Sequence, residues 1–252
     1  MRSVLHLAAG LLVVTSFSQC GKQQLAAEEA VATAIKASTA ADDDTEMRFS
    51  RYHFTGVPGE EKDFSQTELG IQPNEVWVKQ DQSQQASSTY LYRFNYYDVL
   101  VQDWGSGPIK LYKSLKAMQQ GNSLTLRIPN QPLLQVPEDE NAESHYYLTG
   151  LMDAYMIVDE GTSTCRRYLV YNTGTLEQIY TFATCGEVKL AGPHALTFTQ
   201  DTNIPADSLN CYAHLTPEEK NNYHYVVEEQ VSLNLEDRQV TRSGQLTCAY
   251  RE

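Results

Sequence analysis

Aromatic side chains and one acidic side chain are the residues of this 252-residue chain whose types suit the binding of a small molecule. The chain contains 16 Tyr against 7 Phe and 2 Trp. Small-molecule pockets are mostly apolar and aromatic with a few placed polar groups, and tyrosine supplies both kinds of surface. A carboxylate beside aromatic faces binds an ammonium group through charge attraction and cation–π contact. The candidate ligand-binding residues are Tyr92, Phe94, Tyr96, Asp153 and Tyr155.

Each candidate also has a purely structural interpretation. The aromatic residues would be core residues whose hydroxyl groups reach backbone partners or solvent. Asp153 lies inside an apolar segment, where a charge needs a partner, a bend toward water or a cationic ligand. The binding interpretation and the structural interpretation both remain open from the residues alone.

The motifs of common catalytic and metal sites are missing from the sequence. No Gly-x-Ser-x-Gly, His-Glu-x-x-His or phosphate-binding glycine loop occurs. The six histidines lack the spacing of metal ligands, and His214 and His224 are ten residues apart. We therefore predict that the protein is not an enzyme and that it holds no cofactor and no metal.

Four cysteines in the C-terminal part of the chain predict disulfide bonds. An even set of four in an exported protein implies two disulfides, for which three pairings exist. Cys165 and Cys185 flank a predicted hairpin turn at 172–175, which favours 165–185 together with Cys211–Cys248. The pairing 165–211 with 185–248 stays open. Metal ligation by these thiols is disfavoured, because no Cys-x-x-Cys spacing or paired histidine accompanies them.

The N-terminal segment has the pattern of a secretion signal. One basic residue precedes an apolar run over 4–14, and small residues follow it. This pattern predicts a signal peptide over 1–18 and a secreted, extracellular protein. The run is too short for a transmembrane helix, which needs about 20 apolar residues. Cys20 leaves one alternative, a bacterial surface lipoprotein with a structural or assembly role that is anchored through an acylated Cys20.

The charge balance excludes two classes of partner. The formal net charge is −13, from 19 Lys and Arg against 32 Asp and Glu. Nucleic-acid binding needs a clustered surplus of basic residues, and so does a polybasic membrane patch. Hydrophobic residues make up 41% and charged residues 20%, which is typical of a globular chain. The expected partner is a small-molecule ligand bound by a monomer.

Most of the chain follows a hydrophobic period of two. Residues 19–46 are rich in alanine and end in acidic residues, which predicts a flexible leader. The remainder, 47–252, has no composition break and is expected to be one domain. Helix signals are confined to 205–215 and to a capping box at 216–219. The prediction is a mostly β protein, an antiparallel barrel or sandwich with one or two short helices near the C-terminus. We expect the β-barrel, because its closure would remove exposed edges.

Two predicted strands carry the candidate residues. The first alternates over 90–101, and the adjacent aromatic residues Tyr96 and Tyr97 shift the alternation, which predicts a β-bulge. The second covers 145–159 and is unusually long. Both of its faces are largely apolar, so it is expected to be covered on both sides, with a bend at Gly150.

The segment 196–210, with the sequence LTFTQDTNIPADSLN, resembles the last barrel strand and following turn of the tick salivary lipocalins. In that family, which includes the histamine-binding proteins, a strand runs into a motif like Asn-Ile-Pro-Ala and then into a C-terminal helix. Residues 155–170 also look like the family's strand that enters a loop and a disulfide cysteine. The resemblance implies a lipocalin-like eight-stranded barrel. Its implied function is to sequester a small mediator, such as the biogenic amine histamine or a lipid.

Overall fold

A computed structural model describes residues 44–54, 63–64, 66–80, 88–102, 107–137, 144–161, 163–219 and 224–251. The predicted signal peptide over 1–18 and nearly all of the leader over 19–46 lie outside these ranges. The compact unit Thr45–Glu252 is built from antiparallel strands with very little helix, which confirms the mostly β prediction. Its first strand begins at Thr45, so the last two residues of the predicted leader belong to a strand.

The described residues contain 17 strands and one short 3-10 helix, Ala206–Leu209. In chain order the strands are β1 (Thr45–Arg51), β2 (Leu69–Gly70), β3 (Glu75–Gln80), β4 (Ser88–Arg93), β5 (Tyr97–Gln102), β6 (Ile109–Lys113), β7 (Ala117–Gln120), β8 (Ser123–Ile128), β9 (Leu134–Val136), β10 (Tyr146–Met152), β11 (Tyr155–Glu160), β12 (Arg166–Asn172), β13 (Gln178–Thr184), β14 (Lys189–Gly192), β15 (Ala195–Asp201), β16 (His224–Asn234) and β17 (Val240–Arg251). They form sheet A (order β7-β8-β1-β3-β4-β5-β6-β9), sheet B (β13-β12-β11-β10-β2) and sheet C (β14-β15-β16-β17).

One face of sheet A carries a buried apolar cluster of its own. The cluster extends through the neighbouring strands from β8 to β6 in the sheet order. Its side chains are at most 4% exposed and pack on one another, namely Phe49, Trp77, Leu91, Leu100, Tyr112, Leu124, Leu126 and Ile128.

The predicted closed barrel is not found in the described residues. The strands divide among three sheets, and the edge strands of sheet A, β7 and β9, do not pair with each other. Alternation along a strand indicates which side chains are buried, but it does not specify which strands pair or whether a sheet closes. The hydrophobic periodicity could therefore not establish a lipocalin-like barrel.

Sheet B lies between two apolar cores. Core AB is the buried cluster that sheets A and B share, and core BC is the cluster that sheets B and C share. On β11, Met156 and Val158 enter core AB, whereas Tyr155 and Ile157 enter core BC. The prediction that the segment 145–159 is covered on both sides is confirmed.

The two long predicted strands are in fact hairpins. Segment 145–159 turns at Asp153–Ala154, and β10 pairs with β11 through Met152 opposite Tyr155. The segment 90–101 likewise turns after Arg93, so a hairpin replaces the predicted bulge. A two-residue turn lets alternation continue with little interruption, and the sequence pattern therefore resembled one strand.

The C-terminal part agrees with the sequence at most points. The strand predicted after 196 and the two strands of the tail are present as β15, β16 and β17. The helix predicted over 205–215 is reduced to the 3-10 turn. The capping-box bonds form, since Thr216 N donates to Glu219 Oε2 (2.8 Å) and Glu219 N donates to Thr216 Oγ1 (3.3 Å), but the described residues there form turns.

Both disulfides follow the pairing that the hairpin favoured. Cys165 is bonded to Cys185, and Cys211 is bonded to Cys248. The first joins the beginning of β12 to the residue after β13, and the second joins the turns after the 3-10 helix to β17. The described helical residues include no stretch with the length and hydropathy of a membrane span.

Candidate functional site

The five predicted ligand-binding residues do not come together. Tyr92 and Phe94 are each 6% exposed in core AB, and Tyr155 is 6% exposed in core BC. Tyr96 is 79% exposed at the β4–β5 turn, and Asp153 is exposed at the β10–β11 turn. The structural interpretation accounts for these positions, because three of the residues serve as core and two occupy turns.

Asp153 illustrates why a charge occurs in this apolar segment. Its φ of 37° is a left-handed conformation, which Asp tolerates better than most residues with a side chain. Asp153 therefore makes the hairpin turn possible and faces solvent. Its position in the sequence is explained without a ligand.

A different group of residues lines a groove where core BC reaches the surface. This acidic groove has a volume of about 360 Å³. Its apolar side consists of Leu69, Tyr168 and Val188, which belong to core BC. Its polar residues are Glu68, Thr149 and Glu187.

Two glycines allow the floor of the acidic groove to form. Strand β2 runs parallel to β10, with Leu69 opposite Gly150 and Gly70 opposite Leu151. A Cβ on Gly150 would lie 2.1 Å from the carbonyl oxygen of Leu69, and a Cβ on Gly70 would lie 2.1 Å from that of Leu151. Only glycine permits such an approach of two backbones, and this approach places Leu69 and Thr149 side by side.

A side-chain amide fixes the turn that carries Glu68. Gln72 Nε2 donates to the carbonyl oxygen of Thr67, and Thr67 N donates to Gln72 Oε1, both at 3.0 Å. Thr67 is also buried, and its hydroxyl donates to the carbonyl oxygen of Leu69 (3.2 Å). These bonds hold Glu68 at the rim of the groove.

The Cys165–Cys185 disulfide fixes the opposite wall. Cys165 directly precedes Arg166, and Cys185 lies two residues before Glu187. Gly186 N donates to Thr184 Oγ1 (3.0 Å), which shapes the chain between the disulfide and Glu187. The covalent bond thus holds Glu187 and Val188 near the beginning of β12.

A buried carboxylate pairs with a partly exposed arginine next to the groove. Asp159 is 1% exposed, and Arg166 Nη1 donates to its Oδ2 at 2.5 Å. Burial lowers the pKa of Arg166, but the charge of Asp159 and the hydrogen bond outweigh burial, so the pKa is raised. Glu68 acts on Arg166 in the same direction. Arg166 therefore stays charged and is directed toward Asp159.

Tyr168 joins the apolar and the charged sides of the groove. Its ring stacks on Phe182 with the centroids 5.1 Å apart, and Phe182 stacks in turn on Phe198 at 4.1 Å. Burial raises the pKa of Tyr168 to about 12, and the charges of Asp159 and Glu68 add to the rise. The hydroxyl is therefore protonated at neutral pH and able to donate a hydrogen bond.

The arrangement suits the binding of an organic cation. Two carboxylates at the rim attract positive charge, the aromatic side chain of Tyr168 lines the groove, and Leu69 and Val188 offer apolar surface. Glu187 also forms an exposed ion pair with Lys189 (3.0 Å), which a ligand would exchange at small cost. Within the described residues, no group of three or more His, Cys, Asp or Glu is placed to hold a metal ion.

The sequence offered no direct signal for this groove. Glu68, Tyr168 and Glu187 come from three segments that only the packing of sheets B and C brings together. The nearest signal was the predicted disulfide, because its two cysteines flank the hairpin that carries Tyr168 and the second, Cys185, lies two residues before Glu187. Comparisons of this chain with family models, with curated proteins and with solved structures found no match.

Proposed function

We propose that this protein is a secreted, monomeric, non-catalytic binding protein that sequesters a small organic cation, a biogenic amine such as histamine, in the acidic groove. The observation that carries the proposal is the pair of rim carboxylates, Glu68 and Glu187, beside the buried ring of Tyr168. Hydrogen bonds to charged groups stabilise by about 1.5–3 kcal/mol each, and a cation–π contact adds about 0.5–2 kcal/mol.

The proposal places the ligand between sheets and not inside a barrel. Sheet A does not close, and its apolar cluster is packed with side chains, so a lipocalin-like cavity there has no support from the described residues. The similarity of 196–210 to the tick salivary lipocalins supports the sequestering role, and β15 of that segment forms part of core BC behind the groove.

Calorimetric titration with histamine, serotonin and oleic acid tests this function. We expect the two amines to bind, and we expect Glu68→Gln and Glu187→Gln each to weaken histamine binding by about tenfold. Glu46→Gln is the matched control, because Glu46 is a surface carboxylate on sheet A, outside the groove. It should leave the affinity unchanged.

Two outcomes would overturn the proposal. One is amine binding that neither glutamine substitution weakens, which would remove the acidic groove as the site. The other is binding of oleic acid without binding of either amine, which would make a lipid the ligand and leave the carboxylates without a role.

A structural or assembly role as an anchored surface lipoprotein is the second candidate function. The two disulfides use four of the five cysteines, so Cys20 has no cysteine partner left within the chain. Intact-mass analysis of protein produced in a bacterium that acylates lipoproteins separates the two functions. A diacylated chain beginning at Cys20 supports anchoring, and a mature chain that begins at residue 19 without added mass contradicts it.

A further inference from the structure

A second groove crosses the outward face of sheet C and is separate from the acidic groove except at Glu187. On β15, Leu196 and Phe198 point into core BC, so the alternate residues Thr197 and Thr199 face outward. This polar groove has a volume of about 290 Å³. It is lined by Glu187, Lys189, Thr197, Phe198, Thr199, Gln230, Gln245 and Thr247.

The polar groove is lined mainly by neutral groups that both donate and accept hydrogen bonds. Three threonine hydroxyls and two glutamine amides come from the neighbouring strands β15, β16 and β17. A hydroxyl donates one hydrogen bond and accepts others, and a primary amide also does both. A ligand with several hydroxyl groups can likewise donate and accept hydrogen bonds at each hydroxyl.

One of these hydroxyls is buried without a partner. Thr199 Oγ1 has no hydrogen-bond partner among the described residues, although it is shielded from solvent. A buried polar group in this state costs about 1–3 kcal/mol. A Cβ on Gly186 would lie 2.4 Å from this oxygen, so the hydroxyl packs against the backbone of Gly186. Rotation of the Thr199 side chain toward the groove would give the hydroxyl a partner on a bound ligand.

The charges of the polar groove cancel. Lys189 Nζ lies 3.0 Å from Glu187 Oε2 at one end of it, and the other lining residues are uncharged. This balance contrasts with the net charge of −13 of the whole chain. The ligand of such a groove is therefore neutral. The volume lies near the low end of small-molecule sites, about 300 Å³, so the ligand is small or is the terminal unit of a larger molecule.

We propose that the polar groove binds a neutral saccharide unit through Thr197, Thr199, Gln230, Gln245 and Thr247. This site shares Glu187 with the acidic groove, but its ligand is inferred without the function proposed there. Whether the saccharide is free or ends a glycan, the recognised chemistry is a ring of neutral hydroxyl groups.

Saturation-transfer NMR with the methyl glycosides of glucose, galactose, mannose and N-acetylglucosamine tests the proposal. We expect at least one glycoside to bind at millimolar concentration, and we expect Thr199→Val and Gln245→Ala each to weaken its binding by about five- to tenfold. Thr241→Val is the matched control, because Thr241 is an exposed threonine of β17 that does not line the groove.

Thr199→Val also separates lost binding from lost folding. The substitution keeps the shape of the side chain and removes a buried hydroxyl that has no partner, so urea unfolding should show unchanged or higher stability. The proposal is overturned if none of the four glycosides binds, or if binding survives both substitutions at full strength. Histamine titration of Thr199→Val should match the wild type, which keeps the two grooves distinguishable.

Discussion

At the scale of single residues, tyrosine serves two different purposes in this protein. Tyr92 and Tyr155 fill cores, whereas Tyr168 lies at a core's end, where its hydroxyl meets the charges of Asp159 and Glu68. The abundance of tyrosine pointed to a binding surface, but the sequence did not show which tyrosine forms it. Which tyrosine borders a groove depends on the carboxylates that the fold brings to it.

The pKa of Tyr168 gives a prediction about alkaline stability. Because burial raises this pKa from 10.0 to about 12, the folded state holds the phenol proton more tightly than the unfolded state between these values. The stabilisation is complete below about pH 10 and is lost as the pH rises toward 12. Urea unfolding at about pH 9 and about pH 11.5 should show a smaller alkaline loss in Tyr168→Phe than in the wild type.

The exposed Tyr96 supplies the control for this measurement. It is 79% exposed, so Tyr96→Phe should leave the alkaline loss at its wild-type size. An identical loss in Tyr168→Phe and the wild type would contradict the assigned shift. Tyr112, whose pKa burial also raises to about 12, accounts for part of the loss that remains.

At the scale of elements, hydrophobic alternation located most strands and missed how they end. It identified β15, β16, β17 and the hairpin between the first two disulfide cysteines. It merged β4 with β5 and β10 with β11, because short turns barely interrupt the alternation. Strand β2 escaped it entirely, since two residues are too few for a period to show.

Gly150 is the residue on which the pairing of β2 with β10 depends. Gly150→Ala would place a methyl group against the Leu69 carbonyl oxygen and force the two strands apart. Forcing extra atoms into packed structure costs about 1–3 kcal/mol, and we expect urea unfolding to show a loss in this range. Histamine binding should weaken as well, because β2 carries one side of the acidic groove.

Gly121 provides a control, because a substitution there should lower stability without weakening histamine binding. Its φ of 58° strains an alanine, but a Cβ there would meet no atom within 4 Å. Gly121→Ala should therefore cost about 1–2 kcal/mol and leave histamine binding intact. Equal binding by Gly150→Ala and the wild type would show that β2 is not part of the site.

The two disulfides should differ in their effect on binding. Replacing Cys165 and Cys185 by serine removes a link across 20 residues and is expected to cost about 3 kcal/mol. It should also weaken histamine binding, because this link holds the wall that carries Glu187. Replacing Cys211 and Cys248 should cost a similar free energy of unfolding and leave the affinity unchanged in the folded fraction.

Calorimetric titration at a temperature where both variants are folded separates the two effects. If the two double variants bind histamine equally well, the first disulfide has no role in shaping the acidic groove.

At the scale of the whole molecule, three sheets and three buried apolar clusters decide where ligands have access. Sheet B is covered on both faces, and sheet A carries a packed apolar cluster of its own. The grooves therefore lie at the margin of core BC and on the outward face of sheet C. The two grooves share only Glu187, and their charges differ.

The net charge predicts that salt affects binding at the acidic groove and not at the polar groove. A chain of charge −13 attracts a cation over a distance set by the Debye length, which is about 30 Å at 0.01 M salt and about 10 Å at 0.1 M. Histamine binding should therefore weaken several-fold over this range of sodium chloride. Glycoside binding should not change, because the ligand is neutral. Histamine binding that is insensitive to salt would contradict attraction by exposed carboxylates.

The sequence by itself determined the residue-local properties of this protein. Strand-forming alternation, the covered faces of 145–159 and the disulfide across the hairpin 165–185 each depend on neighbours along the chain. The tertiary structure alone decided that sheet A stays open, that Asp153 turns a hairpin and that Glu68 meets Tyr168 and Glu187. The physical reason is that hydrophobic alternation, and the burial that it indicates, depend on residues within one segment of the chain. The order of strands and the packing of sheets depend on contacts between segments far apart in the chain, for which one alternating pattern permits many arrangements.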